Sequence, residues 1–409
     1  MPDTVPAPSP PAFNPLSPEF IRDPYPYYRM LRGLDPLWRS PFGYRLASRH
    51  ADIAVILRDK KFGKDYAGRI RARYGDDAMK EPVLRHMGLW MLSQDPPDHT
   101  RLRGLVVKAF TARRVADMRP RIQAIVDASI DRIEPDGAMD VIKDFAFRLP
   151  VTVICEMLGI PDSDRDNFFE QARDADGGRL LDPVPMTREE LDKANERSLA
   201  ALDYFRHLFA LRRAEPGDDL TSQLVQAEEE GQKLTEDELV ANINLLFGAG
   251  HETTVNLIGN GLLALYRNPD QLRLLRERPE LTANAVEELL RYDSSVQLTG
   301  RTALEDVAVG NVTIAKGESV LCLLGAGNRD PEIYAEPDRL DITREKIEPL
   351  SFGGGIHFCL GAQLARLEGE IAIATLLRRL PGLQLDDIET PEWRPTFVLR
   401  GLLRMPAHW

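Results

Sequence analysis

The densest group of chemistry-bearing residues lies at residues 352–361, FGGGIHFCLG. Cys359 offers a soft anionic metal ligand once its thiol is deprotonated. His357 adds a hydrogen-bond donor, and Gly353, Gly354, Gly355 and Gly361 remove side chains that would collide with something flat and bulky. The sequence that follows, LGAQLARLEGEIAIATLLRRL, has apolar residues at helical spacing, so Cys359 stands just before a helix. Unpaired N–H groups at that terminus favour an anion, which predicts a lowered thiol pKa. A core cysteine in a Gly-rich turn is the ordinary alternative.

The spacing F-x-G-G-x-H-x-C-x-G resembles the cysteine-ligated haem loop of the cytochrome P450 superfamily, soluble bacterial type. The resemblance implies haem b with the Cys359 thiolate as iron ligand and Phe352, Gly353, His357 and Gly361 around it. No C-x-x-C pair is present, so the haem is expected to be held non-covalently. The fold it implies is mainly α with small β-sheets, a triangular helical domain with haem between a long kinked helix and the Cys-bearing loop.

A second stretch, LTEDELVANINLLFGAGHETTVNLIGNGLLALYRNP, predicts such a helix over residues 235–268. Thr235 and Glu238 form a capping box at its start, and Asn268-Pro269 ends it. Its middle is odd: Gly248 and Gly250 weaken it, and His251, Glu252, Thr253 and Thr254 put polar groups where apolar ones belong. AGHETT resembles the family's oxygen-activating segment, which implies that Thr253 donates a hydrogen bond at the oxygen site and Glu252 relays protons. Local bonding that relieves a glycine kink is the other reading. Family members that use hydrogen peroxide typically lack this acid and alcohol pair.

Cations come next. In SQDPPDHTRLRGLVVKAFTARR, Pro96, Pro97 and Asp98 start a helix that sets His99 and Arg103 on one face, able to clamp a carboxylate. The resemblance gives these two, and Arg301 in SSVQLTGRTAL, to the haem propionates; ordinary surface charge is the alternative. Arg101 and Lys108 line up on the opposite face and, with Arg113 and Arg114, suggest a basic patch for an acidic electron donor, or merely solvated charge. Glu288 and Arg291 resemble the family's E-x-x-R pair, which supports the cysteine loop, although such spacing is commonplace on helices.

The remaining pattern predicts helices at residues 23–32, 49–59, 115–133, 145–158, 163–178 and 187–213, the last two as a lid. Strands are expected near Leu37 and at residues 44–47 and 318–324, with a hairpin turning at Gly310-Asn311. Residues 60–92 read as a long mobile loop with a broken helix, covering the substrate. Phe247, Val296, Leu298, Phe397 and Val398 are candidate pocket wall, hence an apolar substrate.

With 43% hydrophobic and 28% charged residues, the 409-residue chain has the makings of a large core. A formal charge of −12 opposes non-specific nucleic-acid binding. Three scattered cysteines suit a reducing cytoplasm. Residues 1–22 are Pro-rich and read as an extended arm without a signal peptide, and residues 23–409 as one domain. No apolar run reaches membrane-spanning length, and a monomer is expected. The implied reaction inserts one atom of dioxygen into an apolar small molecule. Without a flavin or iron–sulfur segment, electrons are expected from a ferredoxin and its reductase. A peroxide-driven haem enzyme and a thiolate-haem binding protein are the rivals.

Overall fold

The helix Glu236–Arg267 organises the molecule. The Thr235 hydroxyl accepts from Glu238 N–H at 3.2 Å and the Glu238 carboxylate accepts from Thr235 N–H at 2.9 Å, the expected capping box. From Thr254 to Leu265 every residue is buried, so this half has no polar face and must be wrapped by others. Arg148–Leu158, Thr282–Tyr292 and Ala362–Arg379 wrap it through Leu149, Val286, Leu289, Ile371 and Leu376, and Arg119–Ile133 backs the first and last of these through Ile122 and Val126. The computed structural model describes residues 14–165, 177–229 and 235–409. Among them no helix is long and apolar enough to cross a membrane.

Beside the helices lies a five-stranded sheet in the order β1-β2-β8-β5-β3. Its strands are Leu37–Arg39 (β1), Arg45–Ala47 (β2), Phe62–Gly63 (β3), Leu298–Ala303 (β5) and Ser319–Leu323 (β8). The parallel pair β2 and β8 is flanked by antiparallel ones, and Arg301 lies opposite Val320. Ala138–Asp140 (β4), Gln384–Leu385 (β9) and Pro406–His408 (β10) form a second sheet; Val307–Val309 (β6) and Val312–Ile314 (β7) form the expected hairpin, with Gly310 at φ 56°.

Several expectations change. Residues 60–92 are not a loop: Tyr66–Tyr74 and Pro82–Met87 are helices joined by the short turn Asp76–Lys80. Each is too short to show a period, but Asp65 caps the first, Pro82 starts the second, and Tyr66, Ile70, Val83, Leu84 and Met87 pack on one another and on Leu191. The helix expected over 115–133 breaks into Ala112–Asp117 and Arg119–Ile133, because Pro120 suits a first turn and not an interior. The one expected over 145–158 begins at Arg148, after the wider turn Val141–Ala146. Within the arm, Pro18–Arg22 is helical, with Phe20 buried against Tyr28 and Phe397. Of the lid, Arg188–Ala214 is present with its own capping box, whereas the helix over 163–178 falls mostly outside the described residues.

Candidate active site

A cavity of about 1110 Å³ lies between the middle of Glu236–Arg267 and the cysteine loop. It exceeds what one drug-sized ligand needs, leaving room for two bodies. All ten residues singled out for the site line it: His99, Arg103, Glu252, Thr253, Arg301, Phe352, Gly353, His357, Cys359 and Gly361. So do Phe247, Val296, Leu298 and Val398. Phe397 does not; its ring packs edge-on against Phe20 in the core, 5.3 Å between centroids. Val398 is positioned instead by Asp182, whose Oδ1 accepts from Phe397 and Val398 N–H at 2.9 and 2.8 Å.

The cysteine loop is held from behind. Asn328 Oδ1 accepts from Leu350 N–H at 2.7 Å, and its Nδ2 donates to Ser294 and Ser351 hydroxyls at 2.7 and 2.9 Å. Cys359 N–H donates to Phe352 C=O at 2.9 Å, closing the loop beneath the sulfur. Its glycines differ in their reasons. Gly355, at φ 65°, admits no side chain, since a Cβ would lie 2.2 Å from Leu57 C=O. At Gly361 a Cβ would meet no protein atom within 4 Å and would instead occupy the cavity edge.

Cys359 is open to the cavity. The lowered thiol pKa expected for it is not found: burial raises it, although Gly361 N–H, Arg103 and Arg366 pull the other way.

Around the loop, positive charge accumulates. Burial, then Arg103, lowers the pKa of His99; burial, then Lys64 and Arg301, lowers that of His357. The two rings stand 4.3 Å apart, and His357 Nε2 is buried without a hydrogen-bond partner. Lys64 is held far below the usual ammonium range by burial, Arg301 and Arg69. The nearby Asp95 carboxylate accepts instead from the Lys64 backbone N–H at 3.0 and 2.8 Å. Such crowding of buried cations calls for an anion. An acidic, flat cofactor fits: carboxylates would meet these cations, and the edge left open by Gly361 would admit the ring.

On the opposite wall, Glu236–Arg267 is helical throughout, so Gly248 and Gly250 do not interrupt it. Thr253 Oγ1 donates to Ala249 C=O at 3.0 Å, and Thr254 Oγ1 to Gly250 C=O at 3.4 Å. Glu252 is half-buried at the cavity wall.

Two other charged groupings have defined partners. Arg101 is paired within the chain: its guanidinium bridges Asp98 at 2.8 Å and the capping residue Glu238 at 2.6 Å. Glu288 and Arg291, commonplace on paper, are fully buried and joined at 2.7 and 2.8 Å.

Sequence reasoning passed over Lys64 and Arg69, which sat in the supposed loop, Asn328, whose partners are distant in sequence, and Glu368. The Glu368 Oε2 is buried without a partner beside the cavity, and burial raises its carboxyl from 4.5 to about 8. Its contribution to stability is therefore full below about pH 4.5 and is lost as pH rises through about 8. Glu368→Gln should remove that dependence: thermal unfolding followed between these limits should show the parent losing roughly a few kcal/mol relative to the variant. Parallel curves would contradict it.

The cytochrome P450 family model matches residues 60–279 and 274–401. Vitamin D(3) 25-hydroxylase from Pseudonocardia autotrophica is 43% identical over 394 residues, 95% of this chain and 94% of the relative. Biotin biosynthesis cytochrome P450 from Bacillus subtilis is 41% identical over 403 residues, 97% and 98% of the two chains. The solved structure of P450BioI in complex with hexadec-9Z-enoic acid ligated acyl carrier protein superposes with a TM-score of 0.89 at 40% identity, covering 96% of this chain and 100% of that one. Matched in motif, fold and nearly full length, the chain belongs to the cytochrome P450 family, the haem monooxygenases.

Proposed function

We propose that this protein is a haem-thiolate monooxygenase that inserts one atom of dioxygen into an apolar organic substrate, drawing electrons from a ferredoxin and its reductase. The observation that carries the reading is the meeting, across one cavity, of Cys359, the Glu252–Thr253 pair and an unbalanced ring of cations. Bound there, haem b supplies redox-active iron for the reductive activation of dioxygen.

The chain's own residues do the rest. Cys359 ligates through its thiolate, and Arg103 and Gly361 N–H favour that charged form. Arg103, His99, Arg301 and His357 hold the propionates. Phe352, fixed by the Arg366 guanidinium 4.4 Å from its ring centre, packs beside the sulfur loop, and Gly353 and Gly361 leave room for the ring. With its proton directed to Ala249 C=O, Thr253 presents oxygen lone pairs to the cavity; donating there requires the hydroxyl to turn. Glu252, half-buried, hands protons inward from solvent. Phe247, Val296, Leu298 and Val398 exclude water around the substrate. Two relatives named for vitamin D(3) and for a long acyl chain support an apolar body.

Thr253→Ala tests this reading. The variant should keep haem and bind substrate, yet divert electrons to hydrogen peroxide and lose about tenfold or more in product per electron. Unchanged coupling would contradict the assigned role, and product formed from added peroxide alone would favour a peroxide-driven enzyme.

A further inference from the structure

The helix Tyr66–Tyr74 turns Tyr66, Arg69, Ile70 and Arg73 towards the cavity, at successive positions of one face. Three of these are satisfied. Tyr66 hydroxyl donates to Leu84 C=O at 2.9 Å, Arg73 Nη1 donates to Asp182 C=O at 2.7 Å, and Ile70 is buried among apolar neighbours.

Arg69 is different. Its Nε is buried without a hydrogen-bond partner, and among the described residues no carboxylate pairs with it. Asp65, the acidic group acting on it, is already occupied in capping the helix through Gly68 N–H at 3.3 Å. Its other charged neighbours, Arg73 and Arg301, carry the same sign; with burial as the larger cause, they bring its pKa to about 10. The guanidinium lies over the backbone of β5, where a Cβ at Gly300 would fall 2.2 Å from Arg69 Nη1 and force the side chain to swing away. The fold thus makes room for a half-buried cation, its Nε shut off from solvent, and pairs it with no counter-ion, an arrangement that persists where a ligand supplies one. Arg301 links Arg69 to the group assigned to the propionates, but Arg69 is not among the charges that act on His99 or His357.

We propose that Arg69 is a substrate-binding residue that pairs with an anionic oxygen group, a carboxylate or a phosphate, at one end of an otherwise apolar substrate. The inference rests on the haem-monooxygenase reading of the same cavity. A guanidinium is suited to either anion through paired hydrogen bonds, and Ile70, Val296 and Leu298 supply the apolar wall beside it.

The test uses the haem-loaded protein and three straight-chain ligand series, from octyl to hexadecyl: the carboxylates, the alkyl phosphates and the uncharged alcohols. Binding is followed by calorimetry and by the haem spin-state shift. One anionic series should bind about tenfold or more tighter than the alcohols of equal length, and the better series identifies the group. Arg69→Met should abolish that preference while leaving alcohol affinity within about twofold, and Arg69→Lys should retain part of it. Equal affinities across the three series, or a preference that survives Arg69→Met, overturns the proposal. So does loss of haem from Arg69→Met, which would assign the residue to the cofactor. Failure of the underlying reading is separate, because it would show in the carbon monoxide spectrum of the parent protein.

Discussion

Cys359→Ala should reduce product formation below about one part in a thousand of the parent rate while leaving the fold intact. The prediction follows from the isolation of this sulfur. Cys155 and Cys322 are fully buried in other parts of the core, and burial pushes both thiols up to about 12. Neither can take over as a thiolate. The loop itself does not need the sulfur, since what closes it is the backbone bond from residue 359 to Phe352 C=O and the anchoring of Leu350 by Asn328. Circular dichroism of the variant should match the parent. A Cys359→His variant should retain haem with a histidine-type spectrum and the same loss of turnover. Product formation surviving Cys359→Ala would remove the thiolate from the account.

The second large effect is structural. Arg291→Ala should destabilise the protein by about 3–5 kcal/mol, because it leaves Glu288 charged, buried and without its main partner. It also strips a donor from three backbone carbonyls: Arg291 reaches Asn328, Pro337 and Arg339 C=O at 3.0, 2.8 and 3.1 Å. Glu288 meanwhile accepts from Asp341 N–H at 2.9 Å and Arg344 Nε at 3.1 Å. The pair therefore pins the irregular segment before the cysteine loop to the helix Thr282–Tyr292. Arg291→Lys should fail similarly, since a point charge cannot serve a fork of acceptors. The measurement is thermal unfolding together with haem content. A variant that unfolds at the parent temperature with full haem would show the pair to be dispensable.

What could be read from the sequence was local. The capping box at Thr235 and the cysteine loop are short-range patterns; the structure forms the first and places the residues drawn from the second on one cavity. What escaped depends on partners far along the chain. Arg69 is distinctive only because Gly300 leaves space for it and, among the described residues, no carboxylate pairs with it, and neither fact is visible in RIRAR. The structural role that the resemblance implies for Glu288 and Arg291 is met, but the partners that make it, in the segment from Asn328 to Arg344, are not visible in their spacing. Sequence alone makes Phe397 and Val398 equal candidates for the pocket wall, but the Phe397 ring packs on Phe20 in the core while Val398 lines the cavity. The broken helix expected within residues 60–92 is two helices whose bounds the sequence does not show, because each is shorter than the window in which a helical period can be recognised.

The most direct test of the central claim is the absorption spectrum of the purified protein, reduced and exposed to carbon monoxide. The account predicts a Soret band at the long wavelength characteristic of thiolate-ligated haem iron, lost in Cys359→Ala. A band at the shorter wavelength of histidine-ligated haem, or a protein that binds no haem, would contradict it.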